Sequence, residues 1–139
     1  CWPTNLGWMM GPWLIFAALI NKATIALYYG APLGEGFGRF VQDARVTMLG
    51  VVPSIVRQWK ITACNEAFDW SHIKCFSSTG EASNPDEMTY LMNLAGNKPV
   101  IEYCGGTEIG WIRYKYRGSN QYTQHIFFPG PGWRIRAAG

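Results

Sequence analysis

The 139-residue chain has few of the side chains that build metal centres and disulfide frameworks: two histidines and four cysteines. Cys1, Cys64, Cys75 and Cys104 show neither the close pairs of a zinc site nor the dense spacing of a secreted disulfide scaffold, so reduced thiols are expected. Charge is also sparse, at 15% of residues against 48% hydrophobic ones, which argues for a buried core and against disorder. No apolar run is long enough to span a bilayer. The nearest, within residues 7–29, is broken by Gly11-Pro12 and again by Asn21-Lys22, short of the roughly 20 apolar residues a span requires. No signal peptide is present, and a chain that begins at Cys1 and ends in Ala-Ala-Gly reads as a fragment.

What is present centres on residues 99–110, Pro-Val-Ile-Glu-Tyr-Cys-Gly-Gly-Thr-Glu-Ile-Gly. An apolar run breaks into a glycine pair followed at once by a hydroxyl and a carboxylate. Paired glycines let the backbone turn sharply or approach a ligand, Thr107 can donate to a phosphate oxygen, and Glu108 can hold Mg²⁺. Standing alone, the same letters describe a strand ending in an ordinary turn.

Elements alternate along the chain. A buried helix with Pro12 in its first turn is expected before a buried, β-favouring strand at 24–29. A glycine-rich loop at 32–38, a short helix at 40–44 and a buried strand at 46–52 follow. Pro53 opens a helix through Trp59 with Ser54 as a candidate cap, and residues 73–76 form a strand with a loop at 77–81. Asn84 caps a helix over 85–95, where Pro85 takes the first position, Asp86 and Glu87 complement the positive end, and Gly96 stops it. A strand at 99–103 closes the series. Such alternation implies an α/β fold, a mostly parallel sheet with helices on both faces.

Ligands collect outside the carboxyl ends of such strands. Two loops stand there, Ser78-Thr79-Gly80-Glu81-Ala82 and Gly105-Gly106-Thr107-Glu108, and adjacent parallel strands would join them into one site. Two unrelated turns remain the alternative.

Three ordered motifs carry a family resemblance: Leu6-Gly7-Trp8-Met9-Met10-Gly11-Pro12, Ser78-Thr79-Gly80-Glu81-Ala82, and Glu102-Tyr103-Cys104-Gly105-Gly106-Thr107-Glu108. Over residues 1–110 the chain resembles the acyl-adenylate-forming enzymes, the AMP-dependent synthetases and ligases, among them the acetyl-CoA-synthetase-like plant acyl-activating enzymes. The resemblance implies part of the large N-terminal, AMP-binding domain of such a ligase, with ATP, a carboxylic acid and CoA as partners and Mg²⁺ as cofactor. A carboxylate attacks the α-phosphate of ATP, and the CoA thiol then displaces AMP.

By motif, Thr107 and Glu108 would be catalytic, Glu108 ligating Mg²⁺ and Thr107 bonding the α-phosphate or carboxylate. Gly80, Glu81, Ala82, Glu102, Tyr103, Cys104 and Gly106 would, with Thr107, hold the nucleotide. Trp8, Met9, Met10, Thr79 and Gly105 would line the acyl side. Acetate-specific relatives carry tryptophan where this chain has Gly105, so an acid longer than acetate is expected. Cys104 stands where many relatives stack an aromatic on adenine. Tyr103 is a neighbour that could substitute, although adjacent strand residues face opposite ways. Cys104 as a nucleophile lacks a nearby histidine to activate it.

The family's phosphate loop would precede Cys1, and its ribose aspartate, hinge and lysine-bearing lid would follow Gly110, so these 139 residues alone are expected to be inactive. The likeness stops there. Residues 111–139 hold five basic groups, Arg113, Lys115, Arg117, Arg134 and Arg136, and no acid, leaving seven basic against nine acidic in the first 110. This atypical basic, aromatic tail reads as frame-shifted or poorly ordered, and as divergent sequence otherwise. Arginine among aromatics can bind single-stranded nucleic acid, so a non-catalytic nucleotide- or nucleic-acid-binding module is the rival reading, with a solvated tail the more ordinary one. Peroxisome and cytosol are both open, because the last residues are not a Ser-Lys-Leu address.

Overall fold

The structure, a computed structural model, describes residues 1–5 and 7–103 together with the backbone of Cys104, Ile112–Gly118 and Gln121–Phe127. Its sheet follows chain order: β1 (Met48–Val51), β2 (Cys75–Ser78), β3 (Val100–Cys104), β4 (Ile112–Gly118) and β5 (Gln121–Phe127). The first three strands are parallel, in a register that aligns Val51 with Ser78 and Ser78 with Glu102. β4 and β5 continue the sheet antiparallel beyond β3.

Helices α1 (Met10–Ile20), α2 (Glu35–Asp43), α3 (Pro53–Thr62) and α4 (Pro85–Leu94) precede or link these strands. Both crossover helices start on proline, whose fixed φ suits the first turn and whose missing N–H removes one donor that the helix end could not use. Asn84 does cap α4, its side chain accepting from the Asp86 N–H at 2.8 Å. Ser54 does not cap α3. The N-cap residue is Val52, without a side-chain acceptor, and the Ser54 hydroxyl turns to another partner described below.

The helices that join successive parallel strands, α3 and α4, pack together and share one core with the sheet. Leu49, Val51, Phe76 and Val100 from the sheet meet Val56 and Trp59 of α3, Met88 and Leu91 of α4, and Phe37 and Val41 of α2, all essentially buried. Trp59 sits at the hub, stacked on Phe37 at 5.6 Å and edge-on to Trp70 at 5.7 Å. Each indole N–H finds a carbonyl, Trp59 on Pro32 at 2.6 Å and Trp70 on Gly38 at 3.1 Å, so neither buried donor is left unpaired.

The opposite face is covered from the amino-terminal segment. Trp2 lies directly over Gly50: a Cβ there would stand 1.9 Å from the indole. Trp13 of α1 and Tyr103 of β3 complete an aromatic cluster around Trp2, with centroids 6.0 and 6.5 Å from it. Helices therefore flank both faces, as the alternation predicts.

Three expectations need correction. The glycine-rich 32–38 segment is not wholly a loop, because α2 begins at Glu35. Gly38 belongs inside that helix for reasons of space, since a Cβ would lie 2.4 Å from Asn65 and 2.5 Å from Phe68. Residues 24–29 form no strand. Tyr28 turns inward against Phe37 and Phe40 while Leu27 and Tyr29 face out, so the segment is held by side-chain packing and not by a ladder. Finally, α1 is buried on one side only: Phe16, Leu19 and Ile20 are 64%, 68% and 79% exposed. Its apolar residues encircle the helix, so the pattern demands cover all round, and the described residues supply it on the sheet side alone.

Candidate active site

The carboxyl ends of β1, β2 and β3 converge on Thr79. Its N–H donates to the Val51 carbonyl at 3.3 Å and its hydroxyl to the Tyr103 carbonyl at 3.0 Å, so one residue ties the ends of all three parallel strands. Beside it the Ser78 hydroxyl is buried with no partner among the described residues, a polar group left at this end of the sheet. The next residue, Gly80, has φ +92°, a conformation that costs other residues backbone strain.

Glu81 then turns back to α3. Ser54 donates to both of its carboxylate oxygens, the backbone N–H to Oε2 at 2.9 Å and the hydroxyl to Oε1 at 2.8 Å. One turn along α3, Arg57 Nε donates to Glu87 Oε1 of α4 at 2.6 Å, joining an exposed guanidinium to a buried carboxylate. The bond to Glu87 raises the Arg57 pKa first and its charge second, with a smaller contribution from Glu81. Ala82 is exposed.

On the acyl side the named residues part company. Trp8 is 71% exposed, Met9 sits half-buried at the N-cap of α1, and Met10 is buried. Tyr103 has its ring between Trp2 and Trp13, which places it in the cluster on the Gly50 face. Glu102 is half-buried, and Cys104 is described by its backbone alone, opposite Arg113 of β4. Gly105, Gly106, Thr107 and Glu108 lie outside the described residues, as does Leu6 of the first motif. Among the described residues no group of three or more His, Cys, Asp or Glu side chains could hold a metal ion, and Glu81 is engaged by Ser54.

Cys1, Cys64 and Cys75 are unpaired thiols, and burial pushes the Cys75 pKa up, away from nucleophilic use. No described helix is long and apolar enough to cross a membrane. A cavity of about 810 Å³ opens between α1 and the start of β1, lined by Trp2, Trp13, Leu14, Ala17 and Arg45. It lies toward the amino end of the sheet, away from Gly80 and Glu81, so the strand-end loops and not this cavity define the candidate site.

Sequence reasoning missed Trp2, Trp13 and Arg57 and gave Ser54 the wrong partner. A serine beside a helix-opening proline invites a local cap, and only a contact 27 residues away shows otherwise.

A parallel α/β unit with a glycine-hinged loop gathered over its strand ends is the architecture of nucleotide-binding α/β domains. No family model matches the chain. It is 71% identical over 109 residues to hexanoyl-CoA synthase of Cannabis sativa and 65% identical over 109 residues to probable acyl-activating enzyme 17, peroxisomal, of Arabidopsis thaliana. Each match covers 78% of this chain and 15% of the relative, so the chain spans about 15% of the length of the curated relatives it matches. In structure it is similar to acetoacetyl-CoA synthetase from Streptomyces lividans, with a TM-score of 0.69 at 22% identity over 98% of this chain and 27% of that one. The luciferase-like enzyme of the Zophobas morio mealworm gives the same TM-score at 16% identity, over 91% of this chain and 38% of that one. These two likenesses bear on the fold. The matched residues belong to the acyl-adenylate-forming superfamily, alongside the acetyl-CoA-synthetase-like plant acyl-activating enzymes.

Proposed function

We propose that this chain carries part of the nucleotide and acyl site of an AMP-forming acid-thiol ligase, which joins a carboxylic acid to CoA by way of an acyl adenylate. The observation that carries the reading is the 71% identity to an acyl-CoA synthase over the residues that build the Thr79 to Glu81 strand-end loop. The first step makes an acyl-phosphate bond as pyrophosphate leaves, and the second makes a thioester as AMP leaves. Both need in-line positioning and charge neutralisation more than a protein nucleophile. In this reading Gly80, Glu81 and Ala82 border the adenine, with Glu102, Cys104, Gly106 and Thr107 completing the nucleotide side. Trp8, Met9, Met10, Thr79 and Gly105 face the acid, and Glu108 holds Mg²⁺, whose charge offsets that of the phosphates when bound. Tyr103, packed between Trp2 and Trp13, contributes its carbonyl and strand position in place of an adenine-stacking ring.

The acid is longer than acetate: glycine at position 105 has no side chain to close an acyl pocket as the tryptophan of acetate-specific relatives does, and the Cannabis relative is named for a six-carbon acyl group. The Arabidopsis relatives are named peroxisomal, which favours that compartment over the cytosol. Residues 1–110 form part of the AMP-binding domain and 111–139 are an atypical segment of sequence. Alone, the 139 residues bind adenylate weakly and do not turn over, because the phosphate loop, ribose aspartate and adenylation lysine that the family uses are not among them. Calorimetry of this chain with ATP, an acyl-adenylate analogue and single-stranded RNA tests the reading. Adenylate binding without RNA binding is expected; salt-sensitive RNA binding with no adenylate affinity would overturn it.

A further inference from the structure

We infer that Glu81 is a positioning residue, clamping the 79–82 loop to the N-terminus of α3 through Ser54 so that the backbone of Gly80 and Ala82, not the carboxylate, meets the nucleotide. The inference rests on the adenylating reading above and changes the role of one residue within it.

Helix α3 has a specific deficit. Val52 offers no capping side chain and Pro53 has no N–H, so the first orphan donor is the Ser54 amide. Glu81 satisfies it from 27 residues away and takes the Ser54 hydroxyl on its second oxygen. A carboxylate is the right group for that place, because the exposed N–H groups and helix dipole favour negative charge there. Arg57, bonded to Glu87, carries positive charge one turn further on and links α3 to α4.

The consequence falls on Gly80. Thr79 is fixed on one side by Val51 and Tyr103, and Glu81 on the other by Ser54. A left-handed glycine held at both ends has one peptide orientation to offer a ligand. With both oxygens occupied, Glu81 also keeps its charge directed at α3 and away from an incoming polyphosphate.

Calorimetric titration of ATP into this chain, with Ser54→Ala, Glu81→Ala, Glu81→Gln and the Ser54→Ala/Glu81→Ala double variant, tests the assignment. Loosening the loop should weaken ATP binding about fivefold in Glu81→Ala, the factor that about 1 kcal/mol represents, and by less in Ser54→Ala, which removes the hydroxyl bond and leaves the Ser54 N–H on Oε2. The double variant should be no weaker than Glu81→Ala, and Glu81→Gln, which keeps an acceptor for the Ser54 N–H, should retain most of the affinity. Additive losses in the double variant, or a Glu81→Gln as weak as Glu81→Ala, would mean direct nucleotide contact by the carboxylate and overturn the inference. Amide exchange at Ser54 gives a second readout: it should accelerate in Glu81→Ala, and an unchanged rate would remove the clamp. A wild-type chain that binds no ATP refutes the functional reading and the nucleotide half of the inference, while Ser54 exchange still judges the clamp by itself.

Discussion

Replacing Gly50 with alanine should damage this protein far more than one methyl group suggests. The new Cβ would stand 1.9 Å from Trp2 Cε3, 2.1 Å from Cδ2 and 2.6 Å from Cζ3. Ordinary carbon contacts begin near 3.5 Å, so the indole must retreat by roughly 1.6 Å. It has nowhere to go. The ring is 5% exposed, with Trp13 edge-on at one side and Tyr103 stacked at another. Overpacking of a tight site costs about 1–3 kcal/mol, and losing a buried tryptophan altogether costs about 3–5 kcal/mol. The expected loss lies between, about 2–4 kcal/mol, a large share of the roughly 5–15 kcal/mol that holds a domain together. Urea unfolding of Gly50→Ala, Trp2→Ala and the double variant measures it. With Trp2 gone the space is free, and alanine should be neutral or better than glycine by about 0.5–1 kcal/mol in a strand. If Gly50→Ala costs the same with and without Trp2, or costs nothing in either, the close approach is not what fixes this face.

Asn84→Ala removes the cap on Asp86 and should destabilise by about 1 kcal/mol in the same assay, with no change in the steepness of unfolding. Tyr90 is raised from 10.0 to about 12, first by burial and then by the nearby Glu66 and Cys64. Its neutral phenol is favoured in the folded state, so its contribution is intact below pH 10 and is lost as the pH rises toward 12. Alkaline unfolding should be steeper in wild type than in Tyr90→Phe, and identical slopes would contradict this. In a complete ligase carrying this segment, Gly105→Trp should shift the kcat/KM ratio toward acetate by about tenfold, the scale of a filled methylene pocket, and an unaltered chain-length profile would refute the pocket reading.

The chain order of strands and crossover helices was legible because it rests on local rules. Pro53 and Pro85 mark helix starts, Asn84 has a short acceptor within reach of its own helix, and Leu49, Val51, Phe76 and Val100 can only be buried. The strand-end loop was legible for the same reason, since a glycine followed by a carboxylate after an apolar run is a local statement. Residues 24–29 show where such rules end: the letters favour extension, but pairing needs a partner that no letter within the segment names. Glu81 shows it again, because a carboxylate after glycine fits a ligand as well as it fits a helix end.

The sequence by itself determined the α/β alternation, the helix starts and the kinship of the motifs, all encoded within a few residues or in their order. Tertiary structure alone decided that Trp2 covers Gly50, that Tyr103 packs between Trp2 and Trp13, and that Ser54 holds Glu81. Each of these is a meeting of groups far apart in the chain, fixed by strand register and by the space left between packed side chains. Hydrogen-bond capacity and volume are written in the residues, but which donor meets which acceptor is settled only when the sheet brings them within 3 Å.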